Sequence, residues 1–277
     1  MTTAQKIIKY LATAFAVFLI VSIISGVLSV FYALSAVLGL KKVENKVNEE
    51  KAMINFEASN DVATVDIDVD FTNLIIKNGD YLRVETNNQN IDYKQDNQKL
   101  KIKEKTHNWF AKNDEGNLIV YIPENLKFEQ VKINADAGKI HIENLNTEKL
   151  NLELGAGETE IENLIVTYNC KINSGAGKVS ISSGKINDLK LDMGIGKFEI
   201  SSEITGNSKV NAGIGNLNLD IKGIRENYTL KANKGIGNIK IDKKEISEDA
   251  VYGSGENAIK IEGGIGNIDV NFSKEEI

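Results

Sequence analysis

The feature that most constrains this chain is a small-x-Gly element that recurs seven times between residues 136 and 266, as in "NAGIGNLNLD" (Asn211–Asp220). The second glycines are Gly138, Gly157, Gly177, Gly196, Gly215, Gly237 and Gly266. Their spacing is near-constant as far as Gly215 and widens in the last two repeats, where insertions fall. Immediately before them stand Ala137, Ala156, Ala176, Ile195, Ile214, Ile236 and Ile265. Two residues after them stand Ile140, Thr159, Val179, Phe198, Leu217, Ile239 and Ile268, and two further on a column of Ile142, Ile161, Ile181, Ile200, Leu219, Ile241 and Val270. Alternation with a period of two marks strands. Its phase slips by one residue across each glycine, so the backbone must kink there, which glycine permits. Each repeat therefore reads as two short strands around a glycine corner, with a second corner at stretches such as "SSGKIND" and "EITGNS". A unit this short cannot bury its own apolar face, so the expected architecture is all-β, a β-solenoid of stacked two-strand coils. At about 4.8 Å per coil, seven copies make a rod of roughly 34 Å. All three columns, Ile214 included, are expected to point into a shared core. Lys234, in the column of Met193 and Ala212, is expected to snorkel or to mark a local distortion.

The first 40 residues are of a different kind. From Tyr10 to Leu40 no residue is charged, and a helix of that length exceeds the roughly 30 Å of a bilayer core. One N-terminal transmembrane helix is expected over 1–40, with a cleaved signal peptide ending near Ala33–Ser35 as the alternative. Lys6 and Lys9 flank one end and Lys41, Lys42, Lys46 and Lys51 the other, so the positive-inside count keeps the C-terminal flank in the cytoplasm, whereas an N-terminal anchor followed by a large polar domain more often exports that domain. An extracytoplasmic β-domain is the expectation. Residues 41–52 form a charged stalk, 53–130 a strand-rich cap in which Pro123 ends the strand "LIVYIP", and 131–277 the glycine-cornered solenoid.

Composition and motifs exclude most site chemistries. The chain has a net charge of −6, and residues 1–52 are basic, which leaves the remainder more acidic still and unsuited to nucleic acid. One cysteine, Cys170, rules out an intramolecular disulfide and reads as a strand thiol. "SGAGKVS" lacks the first glycine and the Ser/Thr of a phosphate loop and precedes a strand, so no nucleotide is expected. "GGIGNIDVN" has Ile268 where the calcium-binding nonapeptide needs aspartate. Asp66, Asp68 and Asp70 share one strand face and read as a solvated outer row with Val65, Ile67 and Val69 inward. His107 and His141 are isolated, which gives neither a metal site nor a triad. Trp109 and Phe110 lie in an expected loop that packs over the solenoid end or touches a partner. The column after the glycine, Lys139, Glu158, Lys178, Lys197, Asn216, Asn238 and Asn267, faces out, and its asparagines are expected to satisfy backbone groups.

An anchor followed by "VATVDIDVDFTNLIIKNGDYLRVE", "QKLKIKE", "LIVYIP" and glycine-cornered repeats resembles the bacterial "putative adhesin" family, over residues 53–272. That resemblance implies an envelope-associated β-domain, with relatives in cell-envelope stress operons, and carries no functional residues to transfer. The expected function is a non-enzymatic, membrane-anchored interaction or scaffold module without cofactor or metal. Its expected partners are the membrane, cell-wall material or another envelope protein. A carbohydrate-active enzyme using Glu158 and Glu160, and a cytoplasm-facing tethered regulator, are the alternatives.

Overall fold

A computed structural model describes residues 53–59, 61–105, 116–246 and 250–273. The expected membrane helix and stalk, and His107, Trp109 and Phe110, lie outside the described residues. Among the described residues no helix is long and apolar enough to cross a membrane.

The alternating segments form strands for the reason their patterns suggest. In β2 (Thr64–Val69), Val65, Ile67 and Val69 are buried while Asp66 and Asp68 are not. β3 (Asn73–Asn78) follows after a corner and buries Leu74 and Ile76. Together β2 and β3 make one coil, strand–corner–strand. The next coil along the chain is β6 (Lys99–Glu104) with β7 (Asn117–Ile122), which ends just before Pro123. From Phe128 to Asn187 the chain stays extended for 60 residues, β8, wrapping through its corners without losing the ladder. One further wrap is β9 (Leu189–Thr205), and another is β10 (Asn207–Asn211) with β11 (Ile214–Lys222). A single 3-10 turn, Arg225–Asn227, leads to the coil of β12 (Tyr228–Asn233) and β13 (Ile236–Ile241). The last coil is β16 (Asn257–Glu262) with β17 (Ile265–Ser273). Coils pair in parallel, residue over residue, and the interior is a continuous aliphatic column including Ile67, Ile133, Ile172, Leu191, Val210 and Ile261.

Spatial order departs from chain order at both ends. β17 pairs with β11 on one edge and β13 on the other, and β16 likewise pairs with β10 and β12. The last coil therefore lies between the two coils that precede it. At the other end β2 lies between β6 and β8, and β3 between β7 and β8, so the first coil is enclosed by the second and by the body. Each skipped level needs a bridge. Residues 123–127 and 223–227 span the two gaps, five residues each, enough to cross two levels of about 4.8 Å. The widened repeat that ends at Gly237 contains the second bridge, and the one that ends at Gly266 contains the cap that follows it.

Antiparallel strands close both ends. β4 (Arg83–Thr86) pairs with β7 and with β1 (Ile54–Glu57), while β5 (Ile91–Asp96) pairs with β6. Phe56 and Tyr93 bring the two sides together, their ring centroids 4.5 Å apart. At the far end β14 (Lys244–Ile246) pairs with β13, and β15 (Ala250–Tyr252) with β12. These two edge strands are very short, which limits pairing with other chains. Lys234 sits in the outermost coil, and its ammonium donates to the Ile246 carbonyl at 3.5 Å. That contact with the cap accounts for a lysine in an otherwise small or apolar column.

Candidate functional site

The seven predicted glycines form one column whose spatial order is 138, 157, 177, 196, 215, 266, 237. All have positive φ, between +121° and +147°, a region that side chains rarely adopt. From Gly157 onward, a Cβ would also overlap the carbonyl oxygen of the neighbouring glycine in the stack. Only at Gly138, the first of the column, is the space open, with Asn73 Oδ1 at 3.4 Å. A second column, Gly155, Gly175, Gly194, Gly213, Gly264 and Gly235, is held to glycine by the same close approach of backbone to backbone. The sequence pattern displayed this column, but its steric role is visible only once the coils are stacked.

The residue before each corner glycine does not point inward as expected. Ile195 is 44% exposed and Ile236 46%, and Ile214 and Ile265 are half-buried, whereas Leu217 and Leu219 are fully enclosed. The two glycines turn the chain so sharply that the residue between them projects from the corner instead of following the strand phase. Ile195, Ile214, Ile265 and Ile236 therefore form a short apolar ridge on the surface.

Four residues before the corner glycine, the coils carry a polar ladder. In spatial order it reads Asp68, Asn134, Glu153, Asn173, Asp192, Asn211, Glu262 and Asn233. From Asp68 to Asn233 carboxylate and amide alternate level by level, with Lys103 beyond Asp68 in the outermost coil; they do not alternate in chain order, where Asn211 and Asn233 are consecutive. Two carboxylates one level apart would repel; an amide between them keeps them roughly 10 Å apart and donates to one of them. Asn173 Nδ2 donates to Glu153 at 2.7 Å, Asn233 Nδ2 to Glu262 at 2.8 Å, and Asn211 Nδ2 to Asp192. Burial raises the Glu153 pKa, but hydrogen bonds from Asn173 and Lys171 outweigh it and hold the carboxyl below its usual range. An open groove of about 730 Å³ follows this ladder from Asp68 to Asp192, floored by Gly155, Gly175 and Gly194.

Beside the ladder lies a row of lysines. Lys171, Lys190, Lys209, Lys260 and Lys231 occupy successive levels in direct register. Lys171 reaches Glu153 at 3.1 Å and Lys260 pairs with Glu262 at 2.5 Å. Lys190, Lys209 and Lys231 are exposed and make no ion pair among the described residues, although Asp188 and Asp192 flank Lys190 along its strand. Lys260 and Asn233, with a lesser part from Lys209, hold the Glu262 carboxyl below its usual range. Like charges directly opposite each other across strands are destabilising, and the carboxylates of the neighbouring ladder, Glu153 and Glu262 among them, offset that repulsion at part of the row.

The remaining candidates resolve into structural roles. Asp66 and Asp68 pair with Lys99 at 3.2 Å and Lys103 at 3.4 Å across β2 and β6. His141 lies between Glu160 and Glu162, its nitrogens 3.9 and 3.3 Å from their oxygens, on an open face. Lys178 sits 3.3 Å from Glu158 and 3.8 Å from Glu160, so the carboxylates proposed for glycan cleavage are engaged by an ammonium on an exposed sheet. Among the described residues no group of three His, Cys, Asp or Glu is placed to hold a metal. Cys170 is fully buried, and burial pushes its thiol up to about 12. Asn267 Nδ2 donates to Asn216 Oδ1 at 3.2 Å, so those outward asparagines bond to each other.

One important residue escaped the sequence reading. Glu104 is 7% exposed, and its Oε2 accepts the backbone N–H groups of Asp70, Phe71 and Thr72 at 2.8, 3.0 and 3.2 Å. Its Oε1 accepts from Asn88 Nδ2 at 2.9 Å. The first coil lacks a glycine corner, and this carboxylate satisfies the amides of its turn instead. In the sequence Glu104 is one of several charges in "KIKEK" and carries no signal of burial.

Among curated proteins none matches the chain. Two solved structures are similar over most of its length. A "putative cell adhesion protein" from Clostridium sporogenes is 18% identical and matches 80% of this chain and 99% of its own, with a TM-score of 0.37. A "putative adhesin" from Bacteroides fragilis is 15% identical and matches 81% of this chain and all of its own, with a TM-score of 0.40. The family model described as Toastrack DUF4097 matches residues 54–271, more than three quarters of the sequence. That span takes in the whole β-stack, glycine-cornered from Gly138 onward, and the chain belongs to the Toastrack DUF4097 family.

Proposed function

We propose that the chain is a non-enzymatic interaction module of the cell envelope, anchored by residues 1–40 with its β-stack outside the cytoplasm, which holds anionic wall material along its lysine row. The observation that carries this reading is the row itself: five lysines stacked in direct register, of which Lys190, Lys209 and Lys231 are exposed and form no ion pair among the described residues. A function in contact with a polymer accounts for such a row, because each level offers the same group at the same spacing. The acid–amide ladder and the pairing of Glu158 and Glu160 with Lys178 support the non-enzymatic part, since these carboxylates are engaged in cross-coil bonds. A role as an accessory in envelope stress fits the same surface.

The test is retention of the full-length chain in detergent on isolated cell-wall material. Retention that falls at least tenfold in a Lys190→Glu, Lys209→Glu, Lys231→Glu variant supports the proposal. Equal retention of that variant refutes the lysine row, and release of reducing sugar by the wild type refutes the non-enzymatic reading. Labelling of a Ser273→Cys variant by an impermeant reagent on intact cells fixes the side of the membrane.

A further inference from the structure

We infer that the exchange of coils at each end is a lock, so that tension reaching the first or the last coil shears strands held on two edges and does not peel the stack coil by coil. In a stack wound in chain order, the coil that carries a chain end is also the outermost coil. Pulling on that end opens its ladder at the tip, one hydrogen bond after another. In this protein the two properties are separated. The outermost coils, β6–β7 and β12–β13, are interior to the sequence, and the first and last coils, β2–β3 and β16–β17, are enclosed, with only the cap strand β1 ahead of β2.

The enclosure is extensive. β17 is in register with β11 from Ile265 to Ser273 and with β13 from Ile265 to Val270, both in parallel. Ile259, Ile261, Ile268 and Val270 are buried between levels. Asn271 Nδ2 donates to Asp220 at 3.1 Å, the Gly223 amide donates to the Ser273 carbonyl at 2.9 Å, and the Phe272 amide donates to Asp242 at 3.1 Å. A pull along β17 loads all of these together. At the other end β2 is tied on one edge by the Lys99 and Lys103 ion pairs and on the other by β8, and Glu104 lashes the corner of the first coil to the second. Shielding of edges does not explain the exchange. The antiparallel caps already shield both ends, and they would do so equally on a stack wound in chain order. The five-residue bridges serve only the exchange. A domain tethered at one end and attached to a partner elsewhere is under tension, which is where such a lock acts, and the lock needs no particular partner.

Force spectroscopy of the full-length chain in detergent micelles tests this, with one handle on a Lys190→Cys thiol and the other on a peptide appended after Ile277. Cys170 is buried and does not compete for the handle. β12–β15 join the stack through the ladders of β16 and β17, so extraction of the last coil frees them as well. The expected first rupture therefore releases about 50 residues, roughly 18 nm at ~3.5 Å per residue. A first rupture of only about 17 residues, roughly 6 nm by the same measure, with the preceding coil still held, overturns the inference. A chain ending at Glu256 provides a second arm read by amide exchange. Loss of protection over 228–252 with protection kept from β8 to β11 supports the lock, and retained protection over 228–252 refutes it.

Discussion

Replacing Gly215 with alanine and, separately, Gly138 with alanine isolates the packing contribution to the glycine column. Both residues have positive φ, +134° and +121°, so both variants carry the backbone cost of placing a side chain there, about 1–3 kcal/mol. Their neighbours differ. The new methyl at Gly138 meets its nearest atom at 3.4 Å, an ordinary contact, while at Gly215 it falls on the carbonyl oxygen of Gly196, with the carbonyl carbon at 2.9 Å. Relief of that overlap requires the two levels to separate, which breaks the ladder between β9 and β11 at its corner. The Gly215 variant should therefore lose at least about 4 kcal/mol, in the range reserved for core disruption. The Gly138 variant should lose about 1–3 kcal/mol. At about 2–4 °C per kcal/mol for a domain of this size, the Gly215 variant should melt roughly 2–12 °C below the Gly138 variant, measured by far-ultraviolet circular dichroism. Equal midpoints would show that φ alone sets the requirement for glycine and that the stack tolerates a methyl between levels. A folded Gly215→Val variant that had lost only a ligand would refute the architectural reading of this corner altogether.

Leu217→Ala should cost about 2–5 kcal/mol, whereas Ile236→Ser, on the exposed ridge, should stay within about 0.5 kcal/mol, both by chemical denaturation. The reverse ranking would return the isoleucines to the core. Glu104→Ala removes the acceptor of three backbone donors, that of Thr72 buried and those of Asp70 and Phe71 part-buried, and should cost roughly 1–3 kcal/mol. Glu104→Gln should fall between that variant and the wild type, because one oxygen still accepts; a neutral Glu104→Ala would mean that the turn reorganises freely. Native protein at pH 8 should leave Cys170 unmodified by a thiol reagent until denaturant is added, since its pKa is pushed up to about 12. Modification within minutes in buffer would refute the burial.

The stacked-coil architecture was legible because its cause is local. Period-two alternation and a glycine corner at near-constant spacing state both the strand and the turn within one repeat. The direction of Ile214 was not, because a phase count treats the corner as a strand with one extra residue. The observed corner uses two glycines, and the residue between them leaves the strand frame. The exchange of end coils left a trace in the widened spacing from Gly215 to Gly237 and from Gly237 to Gly266, but length alone does not tell a surface loop from a bridge. A better signal was the ladder four residues before the glycine. Its alternation of acid and amide fails between Asn211 and Asn233 in chain order and is restored when Glu262 is placed between them. Glu104 lay beyond sequence reasoning for a different reason: its burial depends on backbone amides 32 to 34 positions away along the chain.

The enclosure of the first coil also sets a timetable for biosynthesis. Val65 pairs with Leu100 on one edge and with Val131 on the other, so when β2 leaves the ribosome neither neighbour has been made. At about 5–20 residues per second, both edges of β2 stay open for about 35 further residues, until β6 is made, and the second edge for about 65, until β8 is made. Enclosure of the first coil therefore lags its synthesis, whereas in β8 and β9 each turn of the chain meets the turn just completed. A chaperone or a membrane that shields "VDIDVDFTNLII" during that interval would matter more to yield than to the stability of the finished fold.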